Sequence, residues 1–329
     1  MKSLAAASHR LLLGGLTIVV TAMLAVTGTG GMALAATSAT SAAAASTSAA
    51  AASTTAASGV ALASDRNTAE FDPGFIISDY NFYNATAMSE SDIQNFLEAQ
   101  DCQPKDTASC LKDYHETTSD QPDYGAGHCL AYEGATDESA SSIIAKVAKS
   151  CQISPRVLLV LLQKEQSLLT RPSESGYLRA TGYGCPDTAD CNADYFGFFN
   201  QVYHAAWQFR QYTVDPDRAY KIGEVDVSFH PNATCGATTV TIKNQATANL
   251  YNYTPYQPNE AALVNAEAGD ACSALGNLNF WLMYNGWFGV SEAHPFPDIF
   301  DQCLNLVGGR QCVLPTLLPS VPSKEETSS

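Results

Sequence analysis

The segment Cys151 to Thr170, Cys-Gln-Ile-Ser-Pro-Arg-Val-Leu-Leu-Val-Leu-Leu-Gln-Lys-Glu-Gln-Ser-Leu-Leu-Thr, constrains the fold more than any other stretch of this chain. Ser154 followed by Pro155 reads as an N-cap with proline at the first helical position. From Val157 to Leu169 the run is apolar, interrupted by Gln163, Lys164, Glu165, Gln166 and Ser167. With about 3.6 residues per turn, Glu165 shares a face with Leu158, Leu161, Leu162, Leu168 and Leu169, while Gln163 and Lys164 point elsewhere. A carboxyl set among leucines resists ionisation, because burial penalises charge. A carboxyl that keeps its proton near neutral pH is what a general acid needs. The plainer alternative is that Glu165 ends the buried part of a core helix and leans into solvent.

The N-terminus carries Lys2 and Arg10, then the apolar run Leu11 to Val26, then Ala33-Leu34-Ala35. That order defines a secretory signal peptide, residues 1–35. Gly14 and Gly15 break the run, which argues against a retained membrane anchor. Residues 36–64 are almost wholly Ala, Ser and Thr, with too few large side chains for a core, and read as a disordered linker. Residues 65–290 suffice for one substantial domain, and 291–329 form a Pro-rich tail. The net charge is −16, from 33 acidic and 17 basic residues, and two of the basic ones leave with the signal. That sign disfavours nucleic acid and anionic lipid as partners.

Ten cysteines lie beyond the signal. An even number in an exported chain reads as disulfides. Sequence leaves the connectivity open, but pairing in chain order has a pattern in its favour. Cys102–Cys110, Cys185–Cys191 and Cys303–Cys312 would each close a short loop, and Cys129–Cys151 and Cys235–Cys272 would follow. With no CxxC and no histidine pair at ligand spacing, neither a metal nor a cofactor is expected.

Along the chain, Ser89-Glu-Ser-Asp92 resembles a capping box and starts a helix with Ile93, Phe96 and Leu97 on one face. Cys102 to Tyr132 reads as an irregular polar loop. Ser139 to Ser150 forms a helix burying Ile143, Ile144, Val147 and Ala148. A tight link to Pro155 makes an αα-hairpin with the Glu165 helix. A loop rich in Gly, Pro and Asp spans Arg171 to Asp194. Tyr195-Phe-Gly-Phe-Phe-Asn-Gln201 then enters a helix. Val225, Val227 and Phe229 alternate with polar residues, and Thr239 to Ile242 is a β-branched run, so the two form a β-hairpin. A short helix from Ala246 ends before Pro255, and Gly276 to Trp287 is an aromatic-rich helix. The fold class is α+β, mainly α, with a small β-hairpin and disulfide staples.

Three motifs in this order resemble the lysozyme-like superfamily, which includes soluble lytic transglycosylases and bacterial cell-wall glucosaminidases. Pro155-Arg-Val-Leu-Leu-Val-Leu-Leu-Gln-Lys-Glu165-Gln resembles the helix that delivers their catalytic glutamate, with Gln166 in place of the usual Ser. Gly197-Phe-Phe-Asn-Gln201 is similar to their cleft-lining Gly-Leu-Met-Gln turn. Leu250-Tyr251-Asn252-Tyr253 is similar to their Ala-Tyr-Asn-Ala-Gly segment. The spacing from Glu165 to Gly197 is longer than in that pattern. The same block order with its disulfides also resembles exported actinobacterial proteins.

The resemblance implies a lysozyme-like domain with Glu165 and Tyr251 as catalytic residues. It further implies that Gly197, Asn200, Gln201, Asn252, Tyr253 and Tyr256 bind substrate. Asn200 and Gln201 would hydrogen-bond an acetamido group, or satisfy local backbone. Glycoside cleavage needs a second carboxylate or help from the substrate. Asp187, Asp190, Asp194, Glu224 and Asp226 are available, though such acids are most often solvated surface groups. Without them the sugar's own acetamido group would act, as the transglycosylase resemblance implies. The Asp187/Asp190/Asp194 cluster lacks the spacing of a calcium loop. His204 reads as structural, and the paired cysteines disfavour a thiol peptidase. The expected function is a secreted or wall-associated monomer that cleaves the glycan strands of peptidoglycan. The alternative is a non-catalytic cell-wall-binding or surface protein that retains the same shape.

Overall fold

The computed structural model describes residues 67–125, 127–186 and 190–294. The expected signal peptide and linker, Asp187 and the expected Cys303–Cys312 pair lie outside the described residues. In chain order the elements are α1 (Asp79–Tyr83), α2 (Glu90–Glu98), β1 (His115–Glu116), β2 (Glu138–Ser139), α3 (Ala140–Cys151) and α4 (Pro155–Gln166). They continue with α5 (Glu174–Leu178), α6 (Phe198–Val214), β3 (Gly223–Ser228), β4 (Ala237–Ile242), α7 (Gln245–Tyr253), α8 (Glu260–Val264) and α9 (Gly276–Phe288). β1 pairs antiparallel with β2, and β3 with β4. The fold is α+β and mainly α.

Val157, Leu158, Leu159, Val160, Leu161 and Leu162 of α4 are all buried, whichever way they point. A helix apolar on every side is stable only when covered on every side. Here α3 and α9 pack against α4, and α6 packs in turn on α3 and α7. Each leucine so enclosed stabilises the fold by roughly 1.5–3 kcal/mol relative to exposure.

Ser139 caps α3, its hydroxyl accepting from Ser142 N at 3.2 Å. The helix ends at Gln152, whose φ of 55° is left-handed, and Ile153 and Ser154 complete the turn into α4. The expected cap at Ser154 is not made by its side chain. Its hydroxyl is buried without a partner, while its N–H donates to Phe82 O at 2.8 Å. Proline and this long-range bond set the start of α4 instead. The capping box of α2 forms with Asp92 as its acid.

In the β-hairpin Val225 faces Val240 across the register, and Val227, Val240 and Ile242 are buried. β1 and β2 fall where sequence shows only polar residues, and pair through His115↔Ser139 and Glu116↔Glu138. Among the described residues four disulfides close in chain order: Cys102–Cys110, Cys129–Cys151, Cys185–Cys191 and Cys235–Cys272. The third rims the loop that reaches Glu165.

Candidate active site

Glu165 lies one residue from the end of α4, with its side chain 25% exposed against 8% for Lys164. Helical geometry directs Lys164 away from Glu165, yet its ammonium pairs with Glu165 Oε1 and donates to Thr254 Oγ1 at 3.3 Å. The reason is the burial of α4, which leaves Lys164 no solvent side. Its stem follows apolar surface and its head reaches the nearest acceptors. Gln163 is buried as well, bonding Thr170 Oγ1 at 2.8 Å and Leu169 N at 3.1 Å. Those bonds fix the reversal after α4, where Ser167 is left-handed at φ 55°.

Beside the carboxylate runs the loop Thr181 to Gly184. A Cβ on Gly182 would stand 3.7 Å from Glu165 Oε2, and its φ of +74° suits glycine. Gln201, fully buried on α6, holds this loop. Its Oε1 accepts from Thr181 N at 3.2 Å and Tyr183 N at 3.1 Å. Its Nε2 donates to Tyr183 O at 2.9 Å and Tyr195 O at 2.8 Å. Both amide ends are thereby committed, so Gln201 positions the loop rather than offering its amide to a ligand.

Tyr253 closes the other side. Its hydroxyl donates to Thr181 O at 2.8 Å; burial, reinforced by the nearby charge of Glu165, raises its phenol well above the ordinary range. Tyr251, expected in this place, is buried with its hydroxyl on Pro73 O at 2.9 Å and its ring stacked on Tyr220. Two residues along a helix turn the side chain through roughly 200°. The tyrosine beside the acid is therefore Tyr253, and Tyr251 is core.

The remaining expected ligands make bonds within the fold. Asn252 Nδ2 donates to Tyr220 O at 2.7 Å and Ala248 O at 2.9 Å. Asn200 Nδ2 donates to Phe196 O at 3.0 Å. Tyr256 bridges Ser228 through its backbone, and its carbonyl accepts from Asn277 at 2.9 Å. Gly197, at φ +106°, starts α6. His204 donates from Nδ1 to Asn200 O at 2.8 Å, and burial pushes its pKa down. Asp190, Asp194, Glu224 and Asp226 are exposed. Asp226 accepts from the Thr239 hydroxyl at 2.6 Å.

Sequence reasoning missed Glu116. Its Oε2 accepts from Phe199 N at 2.9 Å in the first turn of α6 and from the Tyr114 hydroxyl at 3.4 Å. Burial raises its pKa against the pull of those bonds. It supplies the charge that a helix N-terminus favours, from a point 83 residues earlier in the chain. No local pattern marks such a cap. An open depression of about 690 Å³, lined by Phe229, Asn259, Glu260, Val264 and the Cys235–Cys272 bridge, lies elsewhere and is not lined by Glu165.

These features define a disulfide-closed helical domain in which one buried helix delivers a glutamate to the surface between a glycine loop and a tyrosine. The chain belongs to the family described as LasA, N-terminal domain, whose model matches residues 75–297. Its description does not name the lysozyme-like superfamily that the motifs resemble. No curated protein and no solved structure matches the chain. Among the described residues, no helix is long and apolar enough to cross a membrane.

Proposed function

We propose that this chain is a secreted cell-wall enzyme that cleaves the amino-sugar backbone of peptidoglycan, as a lytic transglycosylase or glycosidase, with Glu165 as general acid. The family points to a secreted, cell-wall-acting protein. The observation that carries the finer reading is the placement of Glu165: partly exposed, at the end of a helix that is otherwise buried. Gly182 beside it adds no side chain that would block a sugar. In the reaction Glu165 protonates the glycosidic oxygen as its bond to the anomeric carbon breaks. The acetamido oxygen of the same sugar attacks that carbon, a reading supported by the exposure of Asp190, Asp194, Glu224 and Asp226 to solvent. Lys164 has Thr254 Oγ1 as a second acceptor, so it releases Glu165 without losing every partner.

The second reading is a wall-binding domain without catalysis. It is favoured by the Lys164–Glu165 pair and by the commitment of Gln201, Asn200 and Asn252 to internal bonds. Glu165→Gln, incubated with purified sacculi and followed by mass analysis of the soluble fraction, separates the two. Loss of fragment release of at least about 100-fold, with sacculus binding retained, supports the acid. Equal release by variant and wild type removes Glu165 from that role. Binding without release by the wild type establishes the second reading.

A further inference from the structure

Glu116 takes no part in the reaction above, yet its carboxylate sits at the start of the helix that holds the loop beside Glu165. Gly197 occupies the N-cap position of α6 and offers no side chain to the N–H groups of the first turn. Glu116 Oε2 takes that place, accepting at 2.9 Å from Phe199 N, an N–H that a capping side chain ordinarily serves. The exchange depends on glycine. A Cβ on Gly197 would stand 3.2 Å from Glu116 Oε1, and the φ of +106° there strains any other residue. Glu116 itself arrives on β1, which β2 holds in register through His115↔Ser139 and Glu116↔Glu138. Next to it the Tyr114 ring lies 4.1 Å from that of Tyr177 and 5.2 Å from that of Phe198. The cap is therefore carried by a paired strand and packed rings.

The same turn of α6 grips the loop beside Glu165. Gly197 N donates to Leu178 O at 3.2 Å, just before that loop begins. One helical turn on, Gln201 N donates to Gly197 O at 3.0 Å, so the two residues move together. The Gln201 side chain accepts from Thr181 N at 3.2 Å and Tyr183 N at 3.1 Å, and donates to Tyr183 O at 2.9 Å. Between those two anchored residues lies Gly182, on which a Cβ would stand 3.7 Å from Glu165 Oε2. Thr181 O also accepts from the Tyr253 hydroxyl at 2.8 Å. Each link from Glu116 to the space beside Glu165 is thus a hydrogen bond, a helical turn or a neighbour in the chain.

We propose that Glu116 is a positioning residue for the reaction at Glu165: by capping α6 it fixes Gln201, and Gln201 fixes where Gly182 passes the acid. The inference rests on the reading of Glu165 as the general acid, and it gives Glu116 no contact with substrate. Removing the carboxylate leaves Tyr114, Tyr177 and Phe198 packed, so α6 stays docked while its first turn loosens. The Thr181 and Tyr183 amides then lose their fixed acceptor. A glycan strand is held along several sugar units, whereas proton transfer depends on alignment at one bond. A shift of about 1 Å there can cost about 100-fold in rate, so the loss falls on kcat more than on KM.

Glu116→Ala and Glu116→Gln in the full chain test this through two readouts. Glutamine keeps an oxygen that accepts from Phe199 N, and alanine keeps none. The first readout is amide hydrogen exchange. In Glu116→Ala the Thr181 and Tyr183 amides should exchange at least about tenfold faster than in wild type, while those of Leu158 and Leu161 in α4 keep their rates. The second is fragment release from purified sacculi, where Glu116→Ala should lower kcat at least about fivefold with KM within about twofold. Glu116→Gln should restore both. Unchanged exchange at Thr181 and Tyr183, or acceleration shared equally with α4, overturns the positioning role. Faster exchange at those amides with unchanged kcat overturns the role in the reaction and leaves Glu165 in place as the acid. A wild type that releases no fragments overturns the reading of Glu165 and this role with it, so the two failures are told apart.

Discussion

Asp79 joins α1 to the start of α7: its Oδ1 accepts from Ala246 N at 2.8 Å and from Asn244 Nδ2 at 2.9 Å. Burial outweighs these bonds and raises its pKa from 3.8 to about 6. Between those values the folded protein holds a proton that the unfolded chain has released. Stability from this group is therefore greatest at low pH and fades as pH rises through about 6. The full effect is up to roughly 3 kcal/mol. Chemical denaturation at pH 4.5 and pH 7 should show wild type losing about 2 kcal/mol of stability relative to Asp79→Asn, the part of that effect that falls between these two pH values. Parallel profiles would mean that Asp79 does not hold a proton in the folded state. At this scale the sequence was legible for type but not for direction. Glu165 could be singled out because an acid in an apolar run is rare, whereas the choice between Tyr251 and Tyr253 turned on which side of α7 meets the Thr181 loop. That is a tertiary fact. Glu116 carried no local signal, since the N–H it serves belongs to a helix far along the chain.

At the scale of elements, α4 is buried along its whole apolar run from Val157 to Leu162. Leu158 is buried and is enclosed with α4 on every side, so Leu158→Ala leaves a cavity that neighbouring helices cannot readily fill. The expected cost is about 2–5 kcal/mol, measured by urea denaturation; a cost below about 1 kcal/mol would place α4 at the surface. Periodicity marked α2 and α3 because each turns an apolar face to a neighbour, and alternation marked β3 and β4 for the same reason. It missed β1 and β2, two residues each, because strands so short have no period to read. Ser154 misled for a related reason. The Ser-Pro pair describes a preferred local start, but the N–H of Ser154 is taken by Phe82 O, and tertiary pairing overrode the side-chain cap. The cysteines were more transparent, because short loops between successive cysteines limit the partners that geometry allows.

At the scale of the whole domain, the two ends of the described fold are bound to each other. Ser78 N donates to Ser291 O at 3.0 Å, and Ser78 Oγ to Ala293 O at 2.8 Å. Asn81 Nδ2 donates to Ser291 O at 2.8 Å, and Ser291 Oγ to Ile76 O at 2.8 Å. Asn285, on α9, fixes the same serine at 3.1 Å through Nδ2. Ser291 is fully buried, so the domain extends just past the boundary of 290 that composition marks, because a polar residue in a Pro-rich context gives no sign that it will be enclosed. The family match to residues 75–297 spans both ends of this closure. α9 packs on α4, so loosening the closure reaches the helix that carries Glu165. Two truncations separate the closure from the tail beyond it. Ending the chain after His294 keeps every bond named above and should leave the thermal midpoint within a few degrees of wild type. Ending it after Gly289 removes them and strands Ile76 O and the Asn81 amide. With each net hydrogen bond worth about 1 kcal/mol, the expected loss is on the order of 4 kcal/mol, a large share of the roughly 5–15 kcal/mol that holds a typical domain. Equal midpoints for the two truncations would show that the ends do not hold the fold shut.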